Sequence, residues 1–437
     1  MSLTNDIRTL IDIQDTNIIF EENCVQLGTY KNKTCKFIEG TLTYHPDGCE
    51  VCRIKNEHFT IYKNGTQTSR ITLPLQGNYP TYLLLKKQRY FCKSCNHSFT
   101  AKTSIVKKHC HISKNVKAFI VVKAAEAQSL KSIAKDCTVS SPTVQRVINE
   151  TAKTLKSHNQ ALPEHLSFDE FKYSKGKMAF EYINAANGDI LDILEGRTQF
   201  VIKNHFMGNY SLVARKAVKT VTIDMNAGYE TLITELFPNA DIIIDRFHLV
   251  QLINGSMNKT RIQVMNQLST SDSADQRKYR RLKRYWKLLL KNEKDLSSVH
   301  YQSYSLFGQT TEAAIVAELL NYNPVLKANY RLYQDILTTM KDKNYNRLQE
   351  ILKGTQDILI SSYMKTSVKT LRKFLPYIEN SFTYSYSNGR IEGINNKIKV
   401  LNRVAYGYRN FYHYKKRILI HFKFKEVADK PAPPLVG

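Results

Sequence analysis

Leu166-Ser167-Phe168-Asp169, Thr220-Val221-Thr222-Ile223-Asp224 and Asp241-Ile242-Ile243-Ile244-Asp245 are three short apolar runs, each ending on an aspartate. Phe180-Glu181-Tyr182-Ile183 and Ile190-Leu191-Asp192-Ile193-Leu194 lie between the first and the second. Runs this short and this rich in β-branched and aromatic residues read as strands. Helix-period stretches fall near 205–218 and 228–236, so the region beyond the linker mark Pro163 reads as α/β. One aspartate after a strand is ordinarily a turn residue or a helix N-cap. Three of them in one sheet gather carboxylates at strand ends.

Working outward, residues 248–380 show helix-period patterns only, with no convincing strand. The end of the chain, 388–425, reads as one or two helices and contains Ser387-Asn388-Gly389-Arg390-Ile391-Glu392-Gly393-Ile394-Asn395-Asn396-Lys397-Ile398-Lys399. Glu392 opens a helix that carries nine Lys/Arg and no acid between 397 and 425. That puts one carboxylate at the head of a phosphate-binding face. Aspartates on the first and fourth strands of a mixed sheet, with a glutamate on a late helix, are how ribonuclease-H-like nucleases hold two Mg²⁺ ions. Hard cations of this kind need oxygen ligands, and the pair clamps the attacking and leaving oxygens of a phosphodiester.

Toward the N-terminus, Cys49-x-x-Cys52 and Cys92-x-x-Cys95 can supply four thiolates to one tetrahedral Zn²⁺. Four thiolates leave no open position for water, so the role is structural. The gap between the pairs exceeds that of compact fingers and suits a zinc ribbon whose hairpin carries extra strands. His97, His109, Cys110 and His111 are nearby spare ligands. Next, 128–148 suggests a short helix, a turn at Thr138-Val139-Ser140, then Ser141 as N-cap with Pro142 at N1. Such a helix-turn-helix would turn Thr143, Gln145, Arg146 and Asn149 outward to read a major groove. A plain helical hairpin is the competing reading. Residues 1–40 show no periodicity that assigns them a role.

The bulk numbers agree with a nucleic-acid partner. The chain has 437 residues, enough for two to four domains. Its 64 Lys+Arg against 38 Asp+Glu leave a net charge of +26, which calls for a polyanion. No apolar run comes near the length needed to span a bilayer and the N-terminus carries no signal-peptide pattern, so a membrane protein and a secreted one are both poor readings. All eight cysteines lie in the first third of the chain, a clustering that favours metal over disulfides. In 277–287, basic residues alternate with aromatics: Lys283, Arg284 and Trp286, the only tryptophan, could contact phosphates and stack on a base. A solvated amphipathic helix with Trp286 in its core is the stronger alternative.

In this order, zinc ribbon, helix-turn-helix, Phe168-Asp169-Glu170-Phe171, Thr222-Ile223-Asp224-Met225, Asp245-Arg246-Phe247-His248 and 388–393, the chain resembles the ISL3 family of insertion-sequence transposases from about 45 to 425. The resemblance implies a multidomain α/β protein with a ribonuclease-H-like core and a DDE triad of Asp169, Asp224 and Glu392 as the catalytic metal ligands. It implies two Mg²⁺, with Mn²⁺ able to substitute, besides one structural Zn²⁺ on Cys49, Cys52, Cys92 and Cys95. Glu170 adjoins the first aspartate, but strand alternation turns neighbours to opposite faces, so only one of the two can serve. Asp245 and His248 either border the active site or form a helix cap with a packed histidine.

The domains then run 1–40 (role unassigned), 41–105 (zinc ribbon), 106–160 (helix-turn-helix), 161–250 (core, first part), 251–380 (all-helical insertion), 381–425 (catalytic-Glu helix) and 426–437 (tail). The implied activity is binding of the element's terminal inverted repeats, then Mg²⁺-dependent strand cleavage and transfer into target DNA. Lys397, Lys399 and Arg403 would add phosphate contacts. The partners would be double-stranded DNA and further copies of the chain, in the cytoplasm at the nucleoid of a bacterium. A non-catalytic DNA-binding regulator derived from a transposase is the rival. It predicts a missing triad carboxylate, and none is missing.

Overall fold

The computed structural model describes residues 3–155, 161–225, 228–357 and 359–428. They form a mixed α/β, multidomain chain in two compact units, residues 1–158 with 397–437, and 159–396. Among the described residues no helix is long and apolar enough to cross a membrane.

The first unit is built on a six-stranded sheet. The hairpin Ile61–Gln76 with Tyr79–Cys92 fills the gap between the cysteine pairs. The long spacing thus reflects long strands, not the additional ones expected. The residues without an assigned role supply Ile18–Ile19, Val25–Tyr30 and most of Lys33–Leu42, which pairs in parallel with Tyr79–Cys92. Ile18, Ile38 and Leu42 share a buried core with Leu83 and Leu85, so this segment is part of the sheet.

Three helices follow, Lys114–Ala125, Leu130–Asp136 and Ser141–Leu155. Ser113 and Ser129 cap the first two through their hydroxyls. The third starts one residue earlier than the sequence suggests. Ser140 Oγ accepts from Thr143 N at 3.4 Å, so Ser140 takes the cap and Ser141 enters the helix. The last helix, Phe411–Ala428, joins the same core through Ile420, against Val116, Ile120, Val144 and Ile148. Buried Arg417 donates to the carbonyls of Ala124, Glu126 and Gln128. It thereby satisfies acceptors that the end of the first helix leaves open.

The second unit holds a five-stranded sheet with all five expected strands, in the order Asp241–Ile244, Thr220–Ile223, His165–Ser174, Lys177–Asn184 and Ile190–Glu195. The first three run parallel and the remaining pairings are antiparallel. One face, with Phe168, Phe180, Val221 and Ile244, packs in the same core as Phe206 and Leu232 of the helices Gln199–Asn209 and Tyr229–Leu236. That core continues into the helices between 246 and 383. Helix Ser362–Thr383 covers the edge strand: Ser381 Oγ accepts from Ile244 N at 3.1 Å and donates to Ile244 O at 2.6 Å. Edge groups are thus paired rather than open to aggregation. The helical stretch is not wholly helical, since Gln302–Tyr304 and Gly308–Thr310 form a small hairpin. Strands of three residues are too short to register as a period.

Candidate functional site

Asp224 and Asp245 directly follow two parallel strands whose last paired residues are Ile223 and Ile244, so both stand at the C-terminal edge of the sheet. Asp169 lies mid-strand rather than at a strand end, but parallel pairing to Thr220–Ile223 stops at Ser167. It emerges where its neighbour has ended, beside Asp224. His248 joins the edge residues: its Nδ1 is 3.0 Å from Asp224 Oδ1 and 3.1 Å from Asp245 Oδ2. Asp245 occupies an N-cap position yet makes no side-chain capping bond. Its Oδ1 instead accepts from Asn388 N at 3.3 Å.

The helix Gly389–Val404 begins at this point. Asn388 Nδ2 donates to Asp224 Oδ1 at 3.2 Å and to Phe168 O at 3.3 Å, and Asn395 Nδ2 donates to Asp169 Oδ2 at 2.7 Å. Arg390 fixes the first turn on the carbonyls of Ala185 and Ala186. Glu392 is four residues past Asn388 and three before Asn395, so all three share one helical stripe. Its carboxylate is exposed and makes no ion pair or hydrogen bond among the described residues. Asn388 and Asn395 are buried. Composition does not single them out; Asn388 opens the 388–393 segment of the resemblance, and Asn395 follows it at a seven-residue spacing around Glu392.

The electrostatics are those of crowded, half-buried acid. Burial, with the charge of Asp224 added, raises Asp169 to a pKa of about 6 against the opposing hydrogen bond from Glu170 N. Burial also raises Asp224, while its bond to Asp245 raises His248. Glu170 turns to the other face, where it pairs with Arg197 at 2.6 Å and accepts from the Tyr229 hydroxyl. A hard cation fits the cluster chemically: its free groups are oxygens, and Oδ1 of both buried asparagines has no hydrogen-bond partner. Still, Asp169, Asp224 and Glu392 are not drawn together as one tight group. Among the described residues only the four cysteines bring three or more such ligand atoms within 4.8 Å of one another.

Those cysteines are the group in the first unit that could hold a metal ion. Cys49 and Cys52 lie on a knuckle closed by the Gly48–Lys55 bridge, Cys92 ends a long strand, and Cys95 lies in the turn before His97–Thr100. Cys49 and Cys95 sulfurs are 3.6 Å apart, and Cys52 and Cys92 sulfurs 3.7 Å. A tetrahedron with Zn–S of about 2.3 Å requires sulfurs about 3.8 Å apart, so the residues fit zinc. Burial opposes ionisation of Cys49, but the N–H groups of Cys52 and Val51 outweigh it and bring its pKa to about 7. Burial and the neighbouring thiols push Cys95 to about 12. Four thiolates this close need a cation between them. His97, His109, Cys110 and His111 do not join this group; they line a cleft of about 620 Å³ with Lys87, Lys107 and Lys108.

Among the basic candidates, Arg146 is exposed on the third helix while Thr143, Gln145 and Asn149 are half-buried, with Gln145 donating to Asn149. Lys397, Lys399 and Arg403 are exposed. Lys283, Arg284 and Trp286 also face solvent, Trp286 being 37% exposed. The preferred core placement of the tryptophan is thus corrected: Leu282, Tyr285 and Leu289 fill that core.

Comparison with known proteins then gives the class. Residues 166–418, more than half of the chain, match a DDE family described as transposase. Residues 45–95 match the zinc-finger of transposase IS204/IS1001/IS1096/IS1165. The chain belongs to the ISL3 family of transposases. The transposase for insertion sequence element IS1001 of Bordetella parapertussis is 24% identical over 376 residues, 83% of this chain and 85% of that protein. A Lactococcus lactis subsp. lactis protein named ATP-dependent protease is 46% identical over 110 residues, 25% of this chain and 35% of that protein. The chain spans about a third of that relative, whose name speaks for itself alone.

Proposed function

We propose that the chain binds the terminal inverted repeats of its insertion sequence and performs Mg²⁺-dependent strand cleavage and strand transfer at Asp169, Asp224 and Glu392. One observation carries this reading: Asp169 lies on one strand and Asp224 directly follows its parallel neighbour, and Asn388 and Asn395, flanking Glu392 in sequence, each bond one of them. The strand order, three antiparallel strands extended by two parallel ones, supports a ribonuclease-H-like core. Two bound Mg²⁺ would supply Lewis acidity toward the attacking and leaving oxygens.

The chain's own residues do the positioning. The asparagine amides fix the orientation of the aspartates, and His248 bridges Asp224 to Asp245. Glu392, left unpaired toward solvent, is free to close on a cation. The helices Leu130–Asp136 and Ser141–Leu155 would act as a helix-turn-helix, with Arg146 reading bases. The exposed Lys283, Arg284, Lys397 and Arg403 would neutralise phosphates. Joining two element ends calls for at least two copies of the chain on DNA. The test is an assay of purified protein on the repeats flanking its own gene. Mg²⁺ should support nicking at the repeat end, and Ca²⁺ should support binding without nicking. Absence of cleavage with either ion, despite specific binding, would favour the regulator reading.

A further inference from the structure

We propose that Glu181 is a fourth carboxylate of the divalent-cation site, supplied by the strand beside Asp169. The inference rests on the metal-site reading above. Glu181 stands directly across from Asp169 in the antiparallel ladder, so the two side chains leave the same face of the sheet. Opposed residues have Cβ atoms about 4.5–5.5 Å apart, within reach for two carboxylates to share one hard cation.

Glu181 is fully buried, and neither of its carboxylate oxygens has a hydrogen-bond partner. Complete desolvation of a carboxyl without a donor is costly, and packing gives no reason for it. Ile193, opposite on the other side, and Ile183, two residues on, are fully buried apolar side chains on that face. An apolar residue of similar length would fill the space.

A second observation points the same way. Further buried oxygens without partners collect around the two aspartates: Ser167 Oγ, Thr222 Oγ1, Asn388 Oδ1 and Asn395 Oδ1. Ser167 precedes Asp169 by two and faces Thr222 across the parallel ladder. Asn388 and Asn395 are already bonded to Asp224 and Asp169 through their amide nitrogens. Unsatisfied hard oxygen donors thus concentrate where Glu181 lies, and such donors are the ligand class of Mg²⁺ and Mn²⁺.

Mn²⁺ binding to the zinc-loaded full chain, read by calorimetry and by the spin-resonance signal of free ion, tests this without DNA. Glu181→Gln and Glu181→Met should each weaken Mn²⁺ binding by about tenfold or more. Glu181→Met should also melt higher than the parent without added Mn²⁺, and gain less from its addition. If Glu181→Gln binds as the parent does while Asp169→Asn does not, this inference fails alone. If Asp169→Asn also binds as the parent does, the metal-site reading fails with it. A Glu181→Met protein that melts lower at parental Mn²⁺ affinity would mark a structural carboxyl and overturn the proposal.

Discussion

Asn388 holds Asp224: its Nδ2 donates to Asp224 Oδ1 at 3.2 Å while its backbone N–H reaches Asp245 Oδ1 at 3.3 Å. A single residue at the head of the Glu392 helix therefore touches both strand-end aspartates. Asn395 does the same for Asp169, seven residues on.

These two amides should behave as supports of a metal site. Asn388→Ala and Asn395→Ala are each expected to lower cleavage about 10- to 100-fold, the usual cost of removing such a support. DNA binding should change little. Single-turnover cleavage alongside repeat binding checks this, and unaltered cleavage in both variants would remove the amides from the site.

The raised pKa of Asp169 sets the pH behaviour. The folded pKa of Asp169, about 6, lies above the ordinary 3.8, so the folded state binds that proton more tightly. Without added Mg²⁺, stability should therefore fall as pH rises from about 4 to about 6, by up to about 2–3 kcal/mol from this group. Mg²⁺ should reverse the loss above pH 6. Melting curves against pH, with and without Mg²⁺, and with Asp169→Asn as the flat control, measure it.

Zinc should be structural and stoichiometric. Metal analysis is expected to give about one zinc per chain, lost in Cys52→Ser, with a lower melting temperature. Four titratable free thiols in the native protein would contradict the tetrathiolate.

Arg417 predicts what a truncation would do. It is 1% exposed and serves three carbonyls of the helical module. Arg417→Met should cost about 3 kcal/mol, because those acceptors lose their donor. A fragment of 45–160 lacks both this helix and the strands of 18–42, and should be far less stable than residues 1–158 joined to 397–428. Denaturant unfolding of the two fragments decides it.

Much of this was legible in the sequence, and the gaps have physical causes. The five strands of the second unit read correctly because apolar runs flanked by turns leave little else to be. The four cysteines read correctly because paired spacing is a geometric requirement of one ion. Asn388 and Asn395 did not stand out, since asparagine on a helix ordinarily means a solvated face. Glu181 sits between Phe180 and Tyr182 and mimics a polar-out alternation, yet this sheet is buried on both faces there. The strands within 18–42 are mixed in polarity, because Val25–Tyr30 is a largely exposed edge. Ser140 and Ser141 offer equivalent caps on paper, and only the hydrogen bond tells them apart.

Whether Asp169, Asp224 and Glu392 hold the catalytic metal is decided by repeat-end cleavage by Glu392→Gln in Mg²⁺, with Asp169→Asn and Asp224→Asn alongside. Repeat binding should stay near normal in all three, with cleavage at least about a hundredfold slower, the scale of losing one strong electrostatic element. Near-normal cleavage by Glu392→Gln would contradict it and move the third ligand elsewhere, Asp245 first among the candidates.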